Sequence, residues 1–169
     1  LVGLYRAAEE AAMKFRQLPA LIVSALVPAV SDLDARARHA DLAELYLRST
    51  KYIAVVTLPL AIFTLAAAEM LLHVLFGAKP GLETAAWVMR ILVLGYGANL
   101  LPGPGVSIAL GKGRAELPMY AGLISMFGNI ALTLLLVYAV GFYGVPIATS
   151  IAMGISTAWF FGAMRRAVS

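Results

Sequence analysis

Chemistry-bearing side chains are sparse in this sequence, and the densest group of them lies within the first 17 residues. At about 100° per residue, Arg6, Glu10, Lys14 and Gln17 fall on one stripe of a helix, with Glu9, Met13 and Arg16 beside it. Leu4, Ala8, Ala11, Phe15 and Leu18 take the other side. Glu10 stands four residues from both Arg6 and Lys14, so the stripe can also pair with itself. Pro19 follows at once, has no N–H for the helix ladder, and predicts a kink. Arg90 is an isolated cation in an apolar setting, placed either to reach an anionic substrate group or to extend outward past Trp87. Asn99 and Asn129 stand in apolar stretches, where hydrogen bonding between helices is the expected role. Glu69 and His73 share a helix face, and a lone His of this kind reads as a hydrogen-bonder, not as a proton relay. Asp32 and Asp34 form a close acid pair whose surroundings suit helix capping and solvation.

Catalytic and cofactor motifs fail on inspection. No Ser–His–acid set can be assembled from His39 and His73, and these two do not have metal-ligand spacing. The stretch 105–113 has one residue too many between Gly105 and Gly111 for a phosphate-binding loop, and Gly113 stands where that loop needs Ser or Thr. Gly95-Tyr96-Gly97 lacks the third glycine of a dinucleotide turn. There is no Cys, hence no disulfide framework and no Cys-ligated metal. The expectation is a protein with no catalytic group, no metal and no cofactor.

The elements that must position these side chains follow from composition. Of 169 residues, 62% are hydrophobic and 13% charged, with a mean hydropathy of +0.87. Soluble domains carry about a quarter charged residues, so here the excess apolar surface must face lipid. An ordinary soluble enzyme, a nucleic-acid-binding domain and a disordered tail are thereby excluded. A crossing helix needs about 20 mostly apolar residues. Residues 117–164 contain no charge, which suffices for two crossings, with a turn at Gly141-Phe142-Tyr143-Gly144-Val145-Pro146. The expected fold is all-α and polytopic, with about five transmembrane helices at 3–31, 52–76, 85–110, 118–140 and 145–164, and an amphipathic cytoplasmic segment at 32–51.

Charge decides orientation. Arg36, Arg38, Arg48 and Lys51, then Lys112 and Arg114, then Arg165 and Arg166 fall in one set of connections, whereas 77–84 and 141–145 hold only Lys79. With positives inside, the first residue lies outside and the C-terminus in the cytoplasm. The sequence pI of 9.6 is then a topology signal, and no nucleic-acid partner is expected. Because the chain opens outside, already within a helical pattern and without Met, helices upstream of Leu1 are expected too. Depth sharpens the first stripe. The uncharged run 17–31 rises about 22 Å, short of a core about 30 Å thick, so Lys14 and Arg16 dip into the outer half of the bilayer. A cation there costs at least about 2.5–3.5 kcal/mol unless it meets water or a partner. Two readings fit: the stripe lines a hydrated cavity, or it reaches the outer headgroups from a tilted helix in a thinned bilayer.

The chain resembles the C-terminal part of bacterial polysaccharide flippases of the multidrug/oligosaccharidyl-lipid/polysaccharide exporter superfamily, whose folds are MATE-like. The resemblance rests on 2–8, Leu18-Pro19 to Leu26-Val27-Pro28, Ser31, Leu75-Phe76-Gly77, Arg90-Ile91-Leu92, and Ala109-Leu110-Gly111-Lys112-Gly113-Arg114. Asn129 then leads into residues 141–149, similar to the family's glycine-containing turn. Thr133 replaces a second Asn common after Asn129, and Val145-Pro146 replaces a usual Ala-Ala. The resemblance implies most of one lobe of a two-lobe transporter of the bacterial inner membrane, partnered by an upstream lobe of the same chain. It implies flipping of undecaprenyl-diphosphate-linked oligosaccharide, for surface polysaccharide or O-antigen of lipopolysaccharide, by alternating access. The substrate-binding residues it suggests are Arg6, Glu10, Lys14, Arg16, Gln17 and Arg90, the cations offsetting desolvation of a diphosphate and Glu10 and Gln17 meeting sugar hydroxyls. Alternatives are a cation-coupled multidrug antiporter of the same superfamily, with Glu9 or Glu10 as coupling carboxylate, an integral-membrane transferase, and a non-transporting scaffold.

Overall fold

The computed structural model describes residues 2–24, 28, 32 and 39–168, and every regular element among them is helical. Seven α-helices have both ends among the described residues: α1 (Val2–Ser24), α2 (His39–Ala66), α3 (Ala68–Phe76), α4 (Leu82–Leu100), α5 (Gly103–Gly111), α6 (Glu116–Val140) and α7 (Gly144–Val168). A single 3₁₀ turn, Gly141–Tyr143, joins the last two.

By length and apolarity, three described stretches can cross a membrane: Glu44–Ala66, Leu82–Gly111 and Glu116–Arg166. The last has 51 residues and takes in α6 and all but the final two residues of α7. The all-α membrane fold expected from composition is therefore present. α1 is not among these stretches, since its charged stripe interrupts the apolar run. Residues 33–38, with Asp34, Arg36 and Arg38, lie outside the described residues.

Boundaries differ from the sequence reading in three places. The amphipathic segment and the second crossing share one helix, α2, because nothing between Lys51 and Tyr52 stops the ladder. That crossing is then cut at Ala67, and residues 68–76 form the separate α3. The third crossing is cut at Leu101-Pro102: Pro102 caps α5 and Pro104 sits in its first turn, where a missing N–H costs least.

The bundle has two distinct ends. At one, Leu4 lies under Gly81, the Tyr5 ring meets Phe142 edge-on at 6.3 Å, and Phe142 meets Tyr143 at 5.8 Å. At the other, Val23 packs on Gly103, while Tyr46 and Phe160 close over Gly105. A small cluster of Ile108, Ala109, Phe160 and Met164, flanked by Tyr46 and Leu117, seals this second end. Lys112, Arg114, Arg165 and Arg166 belong to it, as does the exposed Arg48–Glu44 pair one turn apart. The alternation of basic and non-basic loops thus becomes two faces of one bundle.

The main core lies where α1 and α3 pack on α4. Ala8, Ala11, Ala12 and Phe15 are buried against Ala85, Val88, Met89, Leu92 and Tyr96, so the apolar side of α1 is its packed side, as its periodicity predicts. Small residues let backbones approach, which is how helices associate in lipid without a hydrophobic drive. Ser150, Gly154, Ala158 and Gly162 recur at every fourth position of α7, the spacing of a small-residue packing stripe, yet they behave differently. Ser150 does pack tightly, on Gly95, but nothing stands within 4 Å of a Cβ at Gly154 or Gly162. A more fully buried row of α7 is Ala148, Ala152, Ser156, Phe160 and Met164, two residues out of phase and so nearly on the opposite side of the helix.

Candidate functional site

A cavity of about 900 Å³ opens between the second half of α1, the α4–α5 junction, the first half of α6 and the second half of α7. Pro102, which breaks the α4–α5 rod, is in its wall, and Pro19 lies in α1 beside the lining residue Ala20, although α1 runs on through it to Ser24. Its walls alternate small and polar residues, among them Ala20, Ser24, Gly122, Ser125 and Ser156, with Met126, Met153 and Phe160 as larger apolar members.

Arg16 is the charged side chain among the residues that line it. One of its terminal nitrogens donates to Asn99 Oδ1 at 3.4 Å, and the guanidinium carbon lies 5.7 Å from the centre of the Tyr96 ring. Both partners sit on α4, near the middle of the 30-residue apolar stretch Leu82–Gly111. A guanidinium carries five N–H donors in a planar fork, and a Tyr face and one long amide contact engage only part of it at the cavity wall. Hydroxyl protons are largely spent on backbone. Ser107 donates to Val23 O at 3.1 Å, Ser156 to Ala121 O at 2.6 Å and Thr157 to Ala98 O at 3.3 Å. These bonds tie α1 to α5, α7 to α6 and α7 to α4, and they leave oxygen lone pairs in the cavity wall. Asn129 lines the wall and bridges helices, donating to Thr149 Oγ1 at 3.0 Å while accepting from Thr133 Oγ1 at 3.0 Å.

Of the six residues singled out by sequence, Arg16 lines this cavity. Arg6, Glu10, Lys14 and Gln17 share the exposed side of α1, opposite its packed side. They are brought together as a continuous stripe, as the period requires, but at the outer surface of the described bundle. Arg90 is half-buried elsewhere. Its Nε donates to Leu65 O at 3.1 Å, its terminal nitrogen lies 3.6 Å from Glu69 Oε1, and it stacks 5.0 Å from the Trp87 ring centre. Sequence reasoning passed over Ser107, Ser125, Ser156 and Thr157. The signal was there, as small polar residues inside uncharged helices, but helix rotation decides which of them meet a cavity. Among the described residues, no three His, Asp or Glu side chains gather as a metal site would require.

Comparison with known proteins places the chain. A family model described as lipid II flippase MurJ matches residues 18–169, which covers α2 to α7, the end of α1 and all the cavity residues except Arg16. No curated protein and no solved structure matches the chain. The superfamily expected from the motifs stands, since MurJ is one of its members, but the branch matched is that of lipid II and not the polysaccharide or O-antigen branch. MurJ proteins are transporters of a lipid-linked precursor and not enzymes, which sets the transferase reading aside. The match spans most of the sequence, and the chain belongs to the MurJ family of lipid II flippases.

Proposed function

We propose that this chain forms part of the path by which a polyprenyl-diphosphate-linked saccharide crosses the bacterial inner membrane, and that its cargo is lipid II. The observation that carries the reading is Arg16: a guanidinium on the wall of a cavity of about 900 Å³, backed by a Tyr face and an amide. A diphosphate leaving water needs such a partner, and Arg meets phosphate through paired donors. The exposed stripe of Arg6, Glu10, Lys14 and Gln17 extends this polar surface toward the outer end, where sugar and diphosphate would travel. The basic end of the bundle is the cytoplasmic end in this reading, with α1 as a fifth crossing whose charges face the transport path and not lipid.

Saccharide-diphosphate lipids share the group that Arg16 would hold, so cargo identity is decided by the rest of the molecule. The polysaccharide and O-antigen reading keeps the same site and mechanism; the family match favours lipid II over it. The test is a flipping assay with the intact protein in vesicles, using fluorescent lipid II in one set and an undecaprenyl-diphosphate-linked oligosaccharide without peptide in another. Faster movement of lipid II alone supports the proposal, and movement of only the second lipid transfers it to surface polysaccharide. Arg16→Ala is expected to slow flipping at least tenfold at unchanged protein level, with Arg16→Lys in between. Wild-type rates in both variants would remove Arg16 from the path.

A further inference from the structure

Two contacts of Arg90 meet at the cut between α2 and α3, and a third is with Trp87 on its own helix. In an unbroken helix the carbonyl of Leu65 would receive the N–H of Glu69. Across this cut the ladder continues only through Ala67 N to Phe63 O at 2.8 Å and Leu71 N to Ala67 O at 2.9 Å. Thr64 adds to the bend by turning its hydroxyl back onto Leu60 O at 2.7 Å. Leu65 O is met instead by Arg90 Nε from α4, at 3.1 Å. The same guanidinium faces Glu69, in the first turn of α3, at 3.6 Å, and its plane is steadied by Trp87 one turn earlier. One cation therefore caps the negative end of α2 and neutralises the acid that opens α3. α3 also packs on α4 and α1 far more than on α2, with Ala68 and Leu72 fully buried in that core.

We infer that Arg90 is a positioning residue, the pin of a hinge at Ala67, which makes the half-helix α3 move as one body with α4 while α2 swings against it. This assignment is independent of the cargo and of Arg16. Its consequence is that α2 and α3, although consecutive, belong to different moving parts, and that the outer end of the bundle keeps its shape when the rest of α2 tilts.

The test uses pairs of spin labels in the intact protein in lipid vesicles, at exposed positions replaced by Cys: Val74 with Leu94 to span α3 and α4, Leu58 with Val74 to span the hinge, and Leu134 with Ile151 as a control on α6 and α7. With Arg90 in place, the 74–94 distance is expected to be single and narrow, and narrower than 58–74. Arg90→Gln is expected to at least double the width of the 74–94 distribution and leave 134–151 unchanged. Arg90→Lys, which keeps the charge and one donor, restores at least half of the difference. Should Arg90→Gln fail to fold, Glu69→Gln serves, because it keeps the cap on Leu65 O and removes only the ion pair; a smaller broadening of 74–94 alone is expected. A 74–94 distribution unchanged in either folded variant, or one that broadens together with the control pair, overturns the hinge-pin role.

Discussion

Gly95→Ala isolates the seam between α4 and α7 that closes one wall of the cavity. A Cβ built on Gly95 stands 2.6 Å from Ser150 Cα and 2.6 Å from its Oγ, where ordinary contacts begin near 3.4 Å. The obstacle is backbone, so no rotamer change relieves it, and the helices must part locally by about 1 Å, the difference between the built and the ordinary separation. Overpacking of this kind costs about 1–3 kcal/mol. Parting also stretches the Ser150 Oγ–Ile91 O bond of 2.7 Å, a loss of about 0.6–1.7 kcal/mol for a bond within a membrane. Against this, Ala gains up to about 1 kcal/mol over Gly in helix propensity. The net expectation is a loss of about 2–3 kcal/mol. The assay is reversible unfolding of the intact protein in mixed micelles, with Gly154→Ala as reference. A Cβ at Gly154 meets nothing within 4 Å, so that variant is expected to be neutral or slightly stabilised. Gly95→Ala and Gly154→Ala within about 0.5 kcal/mol of each other would refute the argument that this approach is backbone-limited.

Two further outcomes follow from burial. The Thr57 hydroxyl is buried on α2 with no hydrogen-bond partner among the described residues, so Thr57→Val is expected to hold or raise stability by up to about 1 kcal/mol, and a loss beyond about 1 kcal/mol in the same unfolding assay would show that the hydroxyl has a partner. The chain has no Cys, which makes Lys14→Cys a clean probe of the α1 stripe. Labelling of position 14 by a membrane-impermeant thiol reagent is expected, because Lys14 shares the exposed polar side of α1; complete protection from both sides of the membrane would place that side against lipid or protein.

Features that depend on composition and period were legible in the sequence. The charge-free run 117–164 with its glycine turn becomes the α6–α7 hairpin, where a Cβ on Gly144 would stand 2.5 Å from the Leu136 backbone. Ala8, Ala11 and Phe15 are buried because a period of 3.6 residues puts them on one side. The cut at Ala67 was not legible, since its causes are a hydroxyl turned back onto Leu60 and a guanidinium arriving from 25 residues away. For the same reason Arg90 could be singled out as an unusual cation without its partners being visible. The cavity wall escaped because rotation of α6 by one residue exchanges Ser125 for Ile124 or Met126, and spacing alone does not set that angle. The family motifs, made of packing and turn residues, led to the superfamily and stopped short of the lipid II branch.

The contrast between α6–α7 and α1 has a consequence for biosynthesis. α6 has no buried residue, its closest packing is with α7, and the 51-residue stretch they occupy is almost wholly uncharged. Such a hairpin satisfies its own backbone and needs no shielding from acyl chains, so it can leave the translocon as a finished unit. α1 is the reverse case: five charged residues within its first 16 positions oppose partitioning, and its buried alanines gain nothing until α4 is there to receive them. The packed side of α1 therefore stays uncovered until a helix synthesised about 80 residues later is made, so that the first helix of this stretch is completed by one of the later ones.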